Sequence, residues 1–142
     1  MARLPRRAPG LPPGQPLVGR ILQAVPRLRI VLGADHRLGP GKFDLIEAIG
    51  ETGSISAAGR RLGMSYRRAW LLVDQVNRMF RQPVVLAAAG GTHGGGAQLT
   101  PFGQSLLAAY RRIEARTRAA IAEELGPFEA ELAEPETDPP EA

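Results

Sequence analysis

"SISAAGRRLGMSYRRAWLLVDQVNRMF" occupies Ser54–Phe80. It divides at Gly63-Met64 into two segments, each introduced by a serine. In "ISAAGRRL" (Ile55–Leu62), Ile55, Ala58 and Leu62 stand at helical spacing, and Ser54 is the expected N-cap. In "YRRAWLLVDQVNRMF" (Tyr66–Phe80), Ala69, Val73, Val76 and Phe80 form an inward stripe behind a Ser65 cap. A short helix, a glycine-containing turn and a second helix make a helix-turn-helix.

The flanks extend this unit. Upstream, "RLRIVLG" (Arg27–Gly33) reads as a strand and "ADHRLGPG" as a turn-rich loop. "KFDLIEAIGET" then carries a helical stripe of Phe43, Leu45, Ile46 and Ile49, stopped by Gly53. Downstream, Pro83 ends the second helix, and the predicted strands "VVLAA" (Val84–Ala88) and "AQLT" (Ala97–Thr100) enclose "GGTHGGG". That glycine run has no Lys-Ser/Thr ending and leads into a strand, so it does not fit a nucleotide-binding P-loop. Glycines at a hairpin tip permit positive φ and close backbone approach. The run therefore reads as a wing tip, with Gly91, Thr92, His93 and Gly94 able to meet phosphate. Thr100 caps a last helix that begins at Pro101 and runs to about Leu125, roughly 37 Å long. Gly126-Pro127 stops it.

The expected fold is mainly α with a small β-hairpin: a winged helix-turn-helix with a long C-terminal dimerisation helix. Its domain is 27–126, with the dimerisation helix at about 101–125. Residues 1–26 hold six prolines and read as a disordered basic arm, apart from a weakly amphipathic "LVGRILQAV". Residues 127–142 read as a disordered acidic tail. On the last helix, Leu106, Tyr110, Ile113, Thr117, Ile121 and Leu125 continue one stripe. Its first half can pack on the winged domain; its second half has no further element of the chain to cover it, which predicts a homodimer.

Charge points to the partner. The chain carries +4 overall, but residues 27–126 hold fourteen basic residues against eight acidic ones, and nearly all the bases are arginine. A basic small domain selects an anionic partner, nucleic acid first. The second helix of a helix-turn-helix enters the major groove, and its first residues meet base edges. Ser65, Tyr66, Arg67, Arg68 and Trp70 occupy that position here, with Tyr66, Arg67 and Trp70 as the outward row and Arg68 toward a flank. Arginine grips guanine O6 and N7 bidentately. Ser54, Ser56, Arg60 and Arg61 on the preceding helix are placed to reach phosphates.

Other classes are excluded. The chain has no cysteine, and its two histidines, His36 and His93, lie far apart, so no metal site is expected. Neither paired carboxylates nor a nucleophile with a base is present, so an enzyme is not expected. No cofactor is expected. No apolar run reaches membrane-spanning length, and no secretory leader is visible, so the expected location is cytoplasmic.

"ETGSISAAGRRLGMSYRRAWLLVDQVN", followed by "GGTHGGGAQLTPFG", resembles the N-terminal DNA-binding domain of ModE-type molybdate-responsive regulators. That domain is similar to the LysR-type winged helix-turn-helix. G-S-I-S-x-A, S-Y-x-x-A-W, a glycine-rich wing and L-T-x-x-G recur in order, and the resemblance covers about Leu28 to Leu125. It implies that Ser54, Ser56, Ser65, Tyr66, Arg67 and Trp70 lie in the DNA-reading motif. It also implies that the last helix dimerises the protein. Where the family wing commonly carries a cation, this one carries His93, so a weaker wing contact is expected. Arg3, Arg6 and Arg7 of the arm are candidates to offset it. Full-length relatives carry molybdate-binding modules after the long helix. Only seventeen residues follow Leu125 here, so molybdate or another oxyanion is not expected to bind this chain alone. An oxyanion at the dimer interface would have Arg111, Arg112 or Arg116 to meet it.

The expected function is a dimeric, sequence-specific transcriptional regulator of molybdenum-related genes. Its partner is double-stranded DNA carrying an inverted-repeat operator. The alternative is a non-catalytic protein-docking or co-regulator module with only non-specific DNA affinity.

Overall fold

The computed structural model describes residues 19–88 and 96–133. Among them the order is β1 (Ile30–Leu32), β2 (His36–Leu38), α1 (Pro40–Thr52), α2 (Ile55–Arg61), α3 (Tyr66–Met79), β3 (Val85–Ala88), β4 (Gly96–Leu99) and α4 (Pro101–Leu125). A 3-10 helix, Gly126–Glu131, follows α4. The chain divides into two units, Arg27–Glu114 and a second one to which 19–26 and 115–133 belong.

The first unit is the winged helix-turn-helix. Its core joins Phe43, Leu45, Ile46 and Ile49 of α1 to Ala58, to Ala69, Val73 and Val76 of α3, and to Val84, Val85 and Ala97 of the wing. The helix boundaries follow the capping residues. Gly53 ends α1 in the left-handed region at φ 71° and its N–H returns to the Ile49 carbonyl. Ser54 Oγ accepts from the Ala57 N–H at 3.1 Å, and Ser65 Oγ accepts from the Arg68 N–H at 3.2 Å. Gly63, at φ 69°, makes the turn between α2 and α3. The two helices cross closely because Gly59 has no side chain: a Cβ there would lie 3.1 Å from that of Ala69.

Three local expectations change. Leu62, expected inward, is exposed, because α2 ends at Arg61 and Leu62 is its C-cap. Phe80 is only partly buried, because α3 stops at Met79 and Phe80 is extended. The loop expected after β1 contains β2, paired antiparallel in the register Ile30↔Leu38. There are thus two small hairpins where the sequence suggested one.

β3 and β4 pair in the register Val85↔Leu99 to Ala88↔Gly96. The α4 start is locked beneath them. Thr100 Oγ1 accepts from the Gly103 N–H at 2.9 Å and donates to the Pro83 carbonyl at 2.7 Å. Gly103 lies so close to the Val84 carbonyl that any Cβ there would collide with it. The L-T-x-x-G motif is therefore a packing device that seats α4 under the wing.

Tyr110 belongs to this core. Its ring stacks on Phe43 at 3.9 Å between centroids, and its hydroxyl donates to the Leu28 carbonyl at 2.6 Å. Beside it, Arg111 bonds Glu114 at 2.7 Å, Glu47 at 3.0 Å and Asp44 at 3.1 Å. Burial works against the Arg111 charge, but the hydrogen bonds to Glu114 and Asp44, with Glu47 beside them, outweigh it and raise its pKa.

In the second unit, the Ile21 N–H donates to Glu129 Oε2 at 2.8 Å, and Arg20 donates to the Ala133 carbonyl at 3.2 Å. Residues 127–133, expected as the start of a disordered tail, thus include most of an ordered 3-10 turn, Gly126–Glu131. Likewise, 19–26 of the expected arm contains a turn closed by Gln23 N–H to Gly19 C=O, 3.0 Å. The rest of the arm and of the acidic tail lies outside the described residues.

Candidate nucleic-acid interface

α3 presents four faces. Ala69, Val73 and Val76 are buried. Opposite them stand Arg67, Leu71 and Arg78, all exposed. Tyr66, Trp70, Asp74 and Asn77 form the flank toward the wing, and Arg68 and Gln75 the other flank. The sequence reading grouped Tyr66, Arg67 and Trp70 as one outward row. In the structure Arg67 holds that row, while Tyr66 and Trp70 border a cleft beside it. Both rings remain largely accessible, at 59% and 50% exposed.

The cleft, of about 900 Å³, lies between α3, the start of α2 and the wing strands. Ser54, Ser56 and Arg60 line its α2 side; Leu86 and Gly96 line its wing side. The wing is bound to both neighbours. Ala97 N–H donates to the Gly53 carbonyl at 2.9 Å, and Ser54 and Gly96 form an isolated bridge. On the other side Asn77 clamps the first wing strand. Its Oδ1 accepts from the N–H groups of Val84 (2.8 Å) and Val85 (3.0 Å), and its amide donates to the Val85 carbonyl (2.9 Å). α3 and the wing root therefore present one continuous surface. Sequence reasoning missed Asn77. The available signal was an asparagine in the last turn of a helix, just before a proline-led strand.

The charges on this surface differ in availability. Arg61 is paired with Glu51, and Arg78 with Asp74 at 3.0 Å. Arg60 donates to Ser56 Oγ at 3.0 Å, so two expected phosphate ligands already touch each other. Neither Arg67 nor Arg68 has a side-chain partner among the described residues, and both are exposed. Ser54 and Ser65 accept through Oγ as caps, which leaves each hydroxyl hydrogen able to donate outward. Gly91, Thr92, His93 and Gly94 lie outside the described residues.

The expected dimer stripe does not hold together as one surface. Tyr110 is 2% exposed and is consumed by its own core, so it is corrected to a core residue. Leu106 packs partly against the same core. Ile113 and Leu125 are exposed; Thr117 and Ile121 are half-buried. Arg111, a candidate oxyanion ligand, is already engaged by three carboxylates. No helix among the described residues is long and apolar enough to cross a membrane.

No family model matches the chain. It is similar to curated proteins over half to about two thirds of its length. It is 50% identical over 96 residues to the molybdenum-pterin-binding protein MopB of Rhodobacter capsulatus, a match covering 68% of this chain and 34% of MopB. The molybdenum transport protein ModE of Azotobacter vinelandii is 39% identical over 80 residues, covering 56% of this chain and 30% of that protein. The DNA-binding transcriptional dual regulator ModE of Escherichia coli (strain K12) is 38% identical over 71 residues, 50% of this chain and 27% of that one. The chain thus spans about a third of the length of the curated relatives it matches.

Proposed function

We propose that this chain, a homologue of the N-terminal region of ModE-type molybdenum regulators, is a dimeric, sequence-specific DNA-binding unit that controls transcription. The observation that carries the reading is the unpaired Arg67-Arg68 start of α3, set on a helix-turn-helix whose wing is tied to it by Asn77.

α3 enters the major groove with Arg67 at the base edges. The cleft receives the sugar-phosphate strand between that groove and the next, where Ser54, Ser56 and Arg60 meet phosphate oxygens. Tyr66 and Trp70 border the same strand. α4 joins two copies, and their two-fold symmetry selects an inverted repeat with half-sites about 34–36 Å apart or a multiple of that. The connection to molybdenum genes rests on the names of the relatives.

Selection of bound duplexes from a random-sequence library tests this reading. An enriched inverted repeat is expected, with binding that weakens steeply as salt rises through counterion release. Arg67→Ala should weaken the selected site by about 1–3 kcal/mol and relax preference at one base position. Binding that is salt-sensitive but indifferent to sequence would overturn the reading.

A further inference from the structure

Leu71 stands out on α3. It is 50% exposed on the face opposite the core. Its helical neighbours three and four residues away are Arg67, Arg68, Asp74 and Gln75, so it sits alone among polar side chains. A docked protein calls for a contiguous apolar patch. A solitary apolar group bracketed by an unpaired arginine and a glutamine matches a different surface, the floor of the major groove. There the C5-methyl of thymine is the one apolar feature among donors and acceptors.

Gln75 follows Leu71 by one turn, where the four-residue row leans from the outward face onto the flank shared with Arg68, and it is exposed. From Arg67 through Leu71 to Gln75 the row advances about 12 Å, the length of three to four base pairs. Beyond it Arg78 is bound to Asp74 at 3.0 Å, which closes the row on its C-terminal side.

We propose that Leu71 and Gln75 extend the base-reading row begun by Arg67, with Leu71 against the C5-methyl of a thymine and Gln75 bidentate to adenine N6 and N7. The inference rests on the DNA-binding reading above. It adds the base classes that α3 discriminates: a guanine, then a thymine, then an adenine within each half-site.

Modified bases test it on the full chain. In the duplex selected by the unmodified protein, each thymine is replaced singly by deoxyuridine, which removes only the methyl. Each adenine is replaced singly by 7-deazaadenine, which removes the N7 acceptor. One deoxyuridine position per half-site should weaken binding about fourfold. That loss should vanish in Leu71→Ala and persist in Leu71→Met, which restores an apolar contact. One 7-deazaadenine position should cost about tenfold and lose its effect in Gln75→Ala. Both side chains are exposed, so the variants should keep the thermal midpoint of the parent. If Leu71→Ala and Gln75→Ala respond to every modified base as the parent does, the inference is overturned while the DNA-binding reading stands. If the parent enriches no sequence at all, both fall together.

Discussion

The two halves of α4 share a sequence pattern and differ in what covers them. From Pro101 to Glu114, Gly103 and Tyr110 are buried, Phe102, Leu106 and Leu107 lean on the core, and Arg111 is held by three carboxylates. From Ala115 to Leu125 no residue is buried. A helical stripe runs through both, and in the first half it meets the core of Arg27–Glu114. Periodicity reports that a face is apolar; it does not report whose surface meets it. The same helix therefore serves as a core element in one half and, in the proposed dimer, as an interface in the other.

A single methyl group should separate the halves most sharply. Gly103→Ala places a Cβ against the Val84 backbone, which cannot yield without moving the wing root. A loss of about 3 kcal/mol or more is expected, seen as a large drop in denaturation midpoint. Gly126→Ala, just past the end of the outer half, where nothing lies within 4 Å of the added carbon, should stay within about 0.5 kcal/mol. Equal effects at the two sites would erase the distinction.

The second test asks whether the outer half is an interface. Leu125→Asp puts a charge on an exposed apolar position. Sedimentation should show dimer dissociation strengthened at least about tenfold, with the cooperative unfolding of Arg27–Glu114 unchanged. A dimer indifferent to this change would mean that another surface joins the copies.

These contrasts mark what could be read from the sequence. The helix-turn-helix was legible because each of its boundaries falls on a residue with a special backbone demand: Gly53 and Gly63 at positive φ, Ser54 and Ser65 as caps. The second hairpin was not. β2 is three residues long and borders Gly39-Pro40, so its composition is that of a loop and only the pairing to β1 makes it a strand. Tyr110 was misassigned because its stacking on Phe43 and its bond to Leu28 are long-range contacts that no local pattern encodes. Arg67 stands exposed on α3, on the face opposite the Ala69, Val73 and Val76 stripe that the periodicity marks. The division of α3 into an outward row and a wing-side flank depended on where the wing returns, which the Asn77 clamp decides.

A smaller effect is expected from the ion network. Arg111→Ala leaves Asp44, Glu47 and Glu114 facing one another, with Arg27 at 3.9 Å from Asp44. The side chain is 30% exposed, so solvent screening limits the loss to about 1–2 kcal/mol. Arg116→Ala, in the outer half, should leave the denaturation midpoint in place. Urea titration of the two variants measures the difference.

The finest distinction concerns the Tyr110 hydroxyl. Tyr110→Phe keeps the ring on Phe43 and removes one hydrogen bond to the Leu28 carbonyl, about 1 kcal/mol at neutral pH. Burial, and then the Glu114 charge, raise the phenol above its ordinary value of 10.0. The proton thus stays on in the folded protein at a pH where the unfolded chain has begun to release it. The stability from this shift is fully present below pH 10 and drains away as pH rises through the folded value. Stability curves of the parent and Tyr110→Phe should therefore run parallel from pH 6 to about pH 9 and converge above about pH 10. Convergence would place the hydroxyl inside the fold of a single chain, on the covered side of α4. Curves that stay parallel through the alkaline range would return Tyr110 to solvent and to the stripe proposed for the dimer.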